Sequence, residues 1–236
     1  MRLRRLLALA FAFIAPLAAR AQNISTVAGG GPINLDPTVS SVGAPVAVRQ
    51  DSIGNTYILD NSANRIYKIA ATGQPNAGKL TVFAGNGRDG YNGNGGLAVD
   101  AEFSGPVGMC IDAHDNVWVA DSDNGLMRKI LVSLTGANPG EQLGHVYDIV
   151  GVQTPTDFLF GGDGGPMASA NLHFPDGCGF DTRGNLYIAD RGNNAIRIAI
   201  TGTPFGSFAA GNIYSFVSAG DGVGTTPPSA GVAARA

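Results

Sequence analysis

The chain has 236 residues, of which 35 are glycine and only 14% are charged. Glycine is about twice as frequent as in ordinary proteins, and the 44% of hydrophobic residues exclude a disordered chain. This composition favours short strands joined by tight turns over a bundle of helices. The formal net charge is −3 and no basic run follows the first few residues, which argues against a nucleic-acid groove.

The first 21 residues have the pattern of a secretory signal peptide. Three arginines among the first five residues precede a 14-residue apolar stretch, Leu6–Ala19, and an Ala-Arg-Ala cleavage site follows at 19–21. The stretch is short for a membrane span, which needs about 20 residues, and an N-terminal anchor helix is the alternative. Cleavage leaves residues 22–236 and removes four arginines, so the net charge changes from −3 to −7. We expect a secreted, periplasmic or cell-surface protein with no stable membrane span after cleavage.

Three copies of one sequence pattern follow. Each begins with a proline, has an asparagine ten residues later after Gly or Asp, and reaches an aspartate 15 residues after the proline. Equal spacing in three places indicates a structural repeat. The repeated positions are Pro45, Asn55 and Asp60, then Pro106, Asn116 and Asp121, then Pro175, Asn185 and Asp190.

Each copy predicts four antiparallel strands. A short apolar strand follows the proline, the Asn-bearing turn leads to a strand rich in aromatic and β-branched residues, and the aspartate opens the next turn. A third strand alternates polar and apolar residues, and a fourth comes later in each unit. Four-stranded units in series are typical of the blades of an all-β propeller. We predict blades at about 45–85, 106–151 and 175–220, with a further strand at 24–28.

The repeated pattern, which includes Y-I-A-D followed by an Asn-bearing turn, resembles the NHL repeat. The third unit, Pro175–Ile198, fits best, and the Gly-rich linkers 93–103 and 162–172 are similar to those of exported bacterial NHL proteins. The resemblance covers about residues 24–236 and implies a β-propeller, which in this family usually has six blades. Three full units predict an open arc or incomplete propeller, and residues 221–236 look like the next linker of a truncated chain.

The recurring aspartates Asp60, Asp121 and Asp190 allow two interpretations. They form a ring of carboxylates for a cationic ligand, or they cap backbone N–H groups where a strand ends; we predict the second. Tyr57, Trp118 and Tyr187 share one repeat position, which favours packing between blades over an aromatic ligand cage.

No metal or cofactor is expected from the sequence. The loops Asp89–Gly95 and 162–165 resemble calcium loops in composition but lack the ligand spacing, so calcium is the lesser alternative. His114, His145 and His173 occupy unrelated repeat positions and are predicted to be surface or loop residues. Lyases and lactonases of related propellers hold a metal, but no set of positions here matches their motifs.

The two cysteines are predicted to be buried free thiols. Cys110 and Cys178 lie four and three residues after their prolines, and a one-residue offset points side chains to opposite faces of a strand. Export leaves a disulfide as the alternative.

The function most consistent with the sequence is an exported binding scaffold for a protein, peptide or extracellular glycan, rather than an enzyme. The ligand is expected at the rim or channel mouth, lined by the ends of first strands and by the turns between second and third strands. Two alternatives remain: a metal-dependent lyase or lactonase-like enzyme whose site is incomplete in this chain, and a structural module of a larger cell-surface protein. The candidate ligand-binding residues are Asn64, Arg65, Asp123, Asn124, Arg191 and Asn194.

Overall fold

Twelve short strands form three four-stranded antiparallel sheets. The computed structural model describes residues 36–38, 40, 42–153 and 160–218. Blade 1 contains β1 Pro45–Gln50, β2 Thr56–Asp60, β3 Arg65–Ile69 and β4 Leu80–Ala84. Blade 2 contains β5 Pro106–Ile111, β6 Val117–Asp121, β7 Leu126–Ile130 and β8 Val146–Val150. Blade 3 contains β9 Pro175–Phe180, β10 Leu186–Asp190, β11 Ala195–Ala199 and β12 Ile213–Ser218.

Helical structure in the described part of the chain is limited to short 3-10 turns. They connect strands or lie in the linkers between blades, at Ala98–Asp100, Ser122–Asn124, Met167–Ser169 and Arg191–Asn193. Within each blade the strands are ordered as in the sequence, so that each blade is a simple meander. The predicted all-β architecture of four-stranded blades is confirmed. The predicted signal peptide at 1–21, the strand at 24–28 and the linker at 221–236 lie outside the described residues.

The blades stack face to face. We call the sheet face toward the following blade the leading face and the opposite one the trailing face. Between blades 1 and 2, Tyr57 and Leu59 share one apolar cluster with Met109 and Val119. A second cluster joins the leading face of blade 2 to the trailing face of blade 3; it includes Trp118, Met127, Leu186, Ile188 and Phe180. Tyr57 and Trp118 therefore pack between blades, as predicted, while Tyr187 packs against Phe216 on the leading face of blade 3.

The first strand of each blade is the innermost, and these strands approach one another closely. β5 lies between β1 and β9. At Gly108 in β5, a Cβ atom would overlap the carbonyl oxygen of Asp176 in β9. The close approach of these two backbones therefore requires glycine at this position.

Cys110 and Cys178 form a disulfide between blades 2 and 3, with Cα atoms 5.7 Å apart. The prediction of two free thiols was wrong. The residue offset does place the two side chains on opposite faces of equivalent strands, since Cys110 pairs with Trp118 on a leading face and Cys178 with Ile188 on a trailing face. Because blades stack leading face to trailing face, opposite faces are the ones that meet.

An aspartate and an asparagine build the turn between the first and second strands of every blade. In blade 2, Asp112 accepts hydrogen bonds from the N–H groups of His114 and Asn116 and from Nε1 of Trp118. Asn116 then accepts the N–H of Val132 at 2.9 Å, beyond the end of the third strand. The repeated asparagines Asn55, Asn116 and Asn185 are buried and make equivalent bonds. The repeat therefore conserves a residue that ties two connections together.

Candidate functional site

The three recurring aspartates cap the turns at the end of the second strands. Asp60 accepts the N–H groups of Gly43, Ala44 and Ala63, with distances of 2.6, 3.0 and 3.1 Å. Asp121 accepts the N–H of Ser104 and Asp190 that of His173, both at 2.7 Å. All three aspartates are fully buried. Their carboxylates are thus engaged by the preceding linker, in agreement with the capping interpretation.

Two of these aspartates also contact buried arginines that the sequence analysis did not single out. Arg128 donates from Nε to Asp148 at 2.8 Å and from Nη1 to Asp121 at 3.3 Å, and its side chain is fully buried. Its remaining donors reach the carbonyls of Glu102 and Asn92 in the linker between blades 1 and 2. The arginine therefore fastens a Gly-rich linker onto the trailing face of its blade.

Arg197 does the same in blade 3. It contacts Asp190 at 3.2 Å and Asp163 at 2.6 Å, and it donates to the carbonyl of Gly161 at 3.1 Å. Both arginines follow the recurring aspartate by seven residues, a signal that was present in the sequence. Blade 1 has Tyr67 at this position, packed with Ile58 and Leu80 in an apolar cluster.

The same repeat position gives opposite pKa shifts in different blades. Burial raises the pKa of Asp121 to about 6, against the lowering effects of Arg128 and of its hydrogen bonds. Burial likewise raises the pKa of Asp190. At Asp60 burial also acts upward, but the hydrogen bonds from Ala44, Gly43 and Ser62 outweigh it, and the pKa lies below its usual value. These shifts belong to structural ion pairs and caps.

The turns between second and third strands hold the six predicted binding residues. Asn64 and Asn194 have left-handed φ angles of 48° and 51° and close their turns. Arg65 donates to the carbonyl of Asn86 at 2.8 Å, and Asn124 donates to that of Gly90 at 2.9 Å. Four of the six residues therefore shape turns or hold linkers.

The other two predicted residues carry exposed charges. Asp123 is exposed, and Arg191, with 63% of its side chain exposed, forms an ion pair with Asp176 at 2.5 Å. Arg191 also lies over the ring of Phe174. Among the described residues, no hydrogen bond or ion pair joins the side chains of two of the six candidates. They form a dispersed rim rather than one assembled site.

A cleft of about 690 Å³ lies between blades 2 and 3. It is at the edge of the blades opposite the turns that form the predicted rim. Its walls are the turns between first and second strands, which carry His114 and Arg183, and the connections between third and fourth strands. Its inner wall is apolar and aromatic, with Trp118, Ile149, Met167 and Phe180. No motif in the sequence marks this cleft, because the connections between third and fourth strands that complete it lie outside the repeated pattern.

A buried ion pair borders the cleft. Lys129, which lines it, donates from Nζ to Glu141 at 2.7 Å, and the two side chains are 5% and 6% exposed. Burial acts to raise the pKa of Glu141, but the hydrogen bonds from Lys129 and Asn138 outweigh it, so the pKa is lowered. The pair adjoins the Trp118 ring, whose centroid is 5.9 Å from Lys129 Nζ.

The loops that resemble calcium-binding loops use their side-chain oxygens internally. Asp89 accepts from the hydroxyl of Ser104, Asn94 accepts the N–H of Asp148, and Asp163 binds Arg197 and the N–H of Ser215. In the parts of the chain that the structure describes, no group of three or more His, Cys, Asp or Glu residues is arranged to hold a metal ion. Within the same residues, no helix has the length and hydropathy needed to cross a membrane.

The chain was compared with protein-family models, curated proteins and solved structures. The NHL repeat family matches residues 103–130, in blade 2, whereas the sequence analysis expected blade 3 to fit best. No curated protein matches the sequence significantly. Similar solved structures include a Bacteroides thetaiotaomicron protein of unknown function, with 24% identity over 61% of this chain and 32% of that one and a TM-score of 0.47.

Two further structures have comparable similarity. An auxiliary nutrient binding protein from Bacteroides ovatus has 20% identity, covering 64% of this chain and 36% of that one, with a TM-score of 0.46. A candidate phosphatase from Bacteroides thetaiotaomicron has 16% identity, covering 68% and 35%, with a TM-score of 0.51. This chain spans about a third of the length of each of the three. Residues 103–130 therefore match the NHL repeat, and the three four-stranded antiparallel sheets of the chain are stacked like the blades of a β-propeller.

Proposed function

We propose that this protein is an exported binding module that holds its ligand in the cleft between blades 2 and 3. The observation that carries the proposal is the cleft itself. Its volume of about 690 Å³ lies within the range of small-molecule and peptide sites, and it combines an apolar inner wall with polar groups at the edge. Because loops of two blades form it, the site needs no contiguous sequence motif.

The inter-blade disulfide supports both parts of the proposal. Disulfides persist in oxidising compartments, which is consistent with the predicted signal peptide and with export. Cys110 and Cys178 also join the two blades that form the cleft, and both belong to the apolar cluster behind it. A covalent link at this place holds the two walls of the cleft at a constant separation.

The dispersed rim is the competing location for a ligand, and two matched variants distinguish the two surfaces. Ala210→Trp places a large side chain at an exposed position in the cleft, and Asp123→Trp places the same bulk on the rim. Ligands are first selected with the wild-type protein from a glycan array and a random peptide library. Their affinities for both variants are then measured by calorimetry.

The proposal expects the affinity of the selected ligands to fall at least tenfold in Ala210→Trp and to stay within twofold of wild type in Asp123→Trp. The reverse pattern would assign binding to the rim and overturn the proposal. Circular dichroism of the two variants establishes that each one is folded before affinities are compared.

A further inference from the structure

The hydrogen-bonding groups of the cleft are unequally available. Its carboxylates are already engaged by the protein, whereas some of its donors are not. Asp112 accepts four hydrogen bonds, from the N–H groups of His114 and Asn116 and from the side chains of Asn116 and Trp118. A carboxylate has about four acceptor positions, so Asp112 has none left for a ligand.

The carboxylate that borders the cleft through Lys129, and three of the backbone carbonyls at its edge, also accept hydrogen bonds from the protein. Glu141 receives Lys129 Nζ at 2.7 Å and both the backbone and side-chain N–H groups of Asn138. Backbone carbonyls at the cleft edge are bonded as well: Arg183 to the N–H of Thr203, Gly184 to the hydroxyl of Thr201, and Gly211 to the N–H of Met167. These two carboxylates are therefore largely unavailable to a cationic group of a ligand.

The donors are different. The Arg183 side chain is exposed at the cleft and stacks over the Phe205 ring at 5.0 Å, and among the described residues its guanidinium has no hydrogen-bond or ion-pair partner. Lys129 has three N–H donors, of which one reaches Glu141. His114 is also exposed at the edge. The cleft therefore offers unpaired N–H donors, including the Arg183 guanidinium, beside an apolar wall.

Building on the proposed function, we infer that the ligand of the cleft is an amphipathic carboxylate: an aryl or alkyl body against Ile149, Met167 and Phe180, with a carboxylate bonded to Arg183. A guanidinium presents paired donors that match the two oxygens of a carboxylate. Stacking on Phe205 orients the guanidinium before the ligand arrives, which reduces the side-chain entropy lost on binding.

The experiment uses the single tryptophan of the chain, Trp118, which forms part of the wall. The probes are 4-(4-bromophenyl)butanoate and its uncharged methyl ester, because bromine quenches indole fluorescence only near contact. Three full-length proteins are compared: wild type, Arg183→Gln and Arg191→Gln. The last is the matched control, since it removes the same charge from an exposed arginine of the same blade, at the edge opposite the cleft.

The inference expects saturable quenching of Trp118 by the acid in wild type and in Arg191→Gln, with the ester binding at least tenfold more weakly. In Arg183→Gln the affinity for the acid should fall about tenfold, as expected for loss of a charge-assisted hydrogen bond, and approach that of the ester. Equal binding of acid and ester in wild type, or no quenching by either, overturns the inference. Because the array ligands are tested on Ala210→Trp independently, either result leaves the proposed function to its own experiment.

Discussion

Asp148 and Asp163 supply the same charge to equivalent arginines from different places in the repeat. In blade 2 the carboxylate comes from the fourth strand, where Asp148 pairs with Arg128, and the linker residue is the neutral Asn94. In blade 3 the linker residue is Asp163, and Ser215 occupies the strand position opposite Arg197. Each buried guanidinium thus contacts two carboxylates: Arg128 contacts Asp121 and Asp148, and Arg197 contacts Asp190 and Asp163. The second carboxylate of each pair comes from the fourth strand in blade 2 and from the linker in blade 3.

The different origin of the second carboxylate in blades 2 and 3 predicts that the stability lost by one substitution is restored by another. Asp163→Asn leaves Arg197 fully buried with a single carboxylate, and we expect it to lower the free energy of unfolding by about 3 kcal/mol, as for other broken buried pairs. Adding Ser215→Asp re-creates the blade 2 arrangement and should restore most of the loss. Urea unfolding followed by fluorescence measures both. A double variant no more stable than Asp163→Asn would show that the two positions are not equivalent.

Blade 1 lacks the buried arginine that the other two blades share. Tyr67 replaces the arginine, and Val82 is its partner on the fourth strand. Without an arginine, blade 1 needs no carboxylate to pair with it, and Asp60 only caps backbone N–H groups. Replacement of a buried ion pair by packed apolar residues is often neutral for stability. In blade 1, Tyr67 and Val82 therefore replace the arginine and its fourth-strand partner together.

The raised pKa of Asp121 predicts a pH-dependent stability. Its folded pKa is about 6 and its ordinary value is 3.8, so between these pH values the folded state holds a proton that the unfolded state releases. Stability from this group is complete below pH 4 and is lost as the pH rises through 6. Asp121→Asn cannot titrate. The difference in unfolding free energy between wild type and Asp121→Asn should therefore change by about 2 kcal/mol from pH 4 to pH 7, in favour of the variant.

Asp60 predicts the opposite slope and serves as the comparison. Its pKa is lowered in the folded state, so its stabilisation is present above the ordinary value of 3.8 and is lost as the pH falls. Asp60→Asn should be more damaging at pH 7 than at pH 3. Chemical denaturation across this pH range measures both variants. Parallel profiles for Asp60→Asn and Asp121→Asn would contradict the assigned shifts.

The disulfide predicts a large stabilisation because it closes a long loop. Cys110 and Cys178 are 68 residues apart, for which the chain-entropy model gives about 4 kcal/mol. The double variant Cys110→Ala/Cys178→Ala should unfold at a correspondingly lower urea concentration, and reduction of the wild type should lower its midpoint to a similar extent. If reduction leaves the wild-type midpoint unchanged, the bridge does not contribute in this way.

The sequence repeat was sufficient to predict the fold of each blade, whereas the contacts between blades could be identified only from the structure. Pro-to-Asp spacing was sufficient to predict the strands and their turns, since these depend on local residue types. The disulfide was missed because strand faces were compared within one sheet, whereas Cys110 and Cys178 meet between two. The cleft was missed for a related reason: Arg183 and Lys129 are brought together by the stacking of blades and share no motif.

The close approach of the inner strands yields a matched pair of glycine substitutions. Gly108 and Gly177 each lie two residues after the proline of their blade and pair with an alanine of the second strand. A Cβ on Gly108 would overlap the backbone of Asp176, whereas a Cβ on Gly177 would meet only the Ala189 side chain at 3.8 Å. Identical substitutions therefore test contact between blades against an internal control.

Gly108→Ala should lower the free energy of unfolding by about 1–3 kcal/mol, because β5 and β9 must separate to admit the methyl group. Gly177→Ala should be neutral, or stabilising by about 0.4–1 kcal/mol, because alanine restricts the unfolded chain. Thermal and urea unfolding of both variants provide the comparison. The separation of β5 from β9 also moves Cys110 away from Cys178, so Gly108→Ala should make the disulfide easier to reduce, and Gly177→Ala should not. Equal behaviour of the two variants would mean that the inner strands are not in contact, and the stacking of blades described for this chain would be wrong.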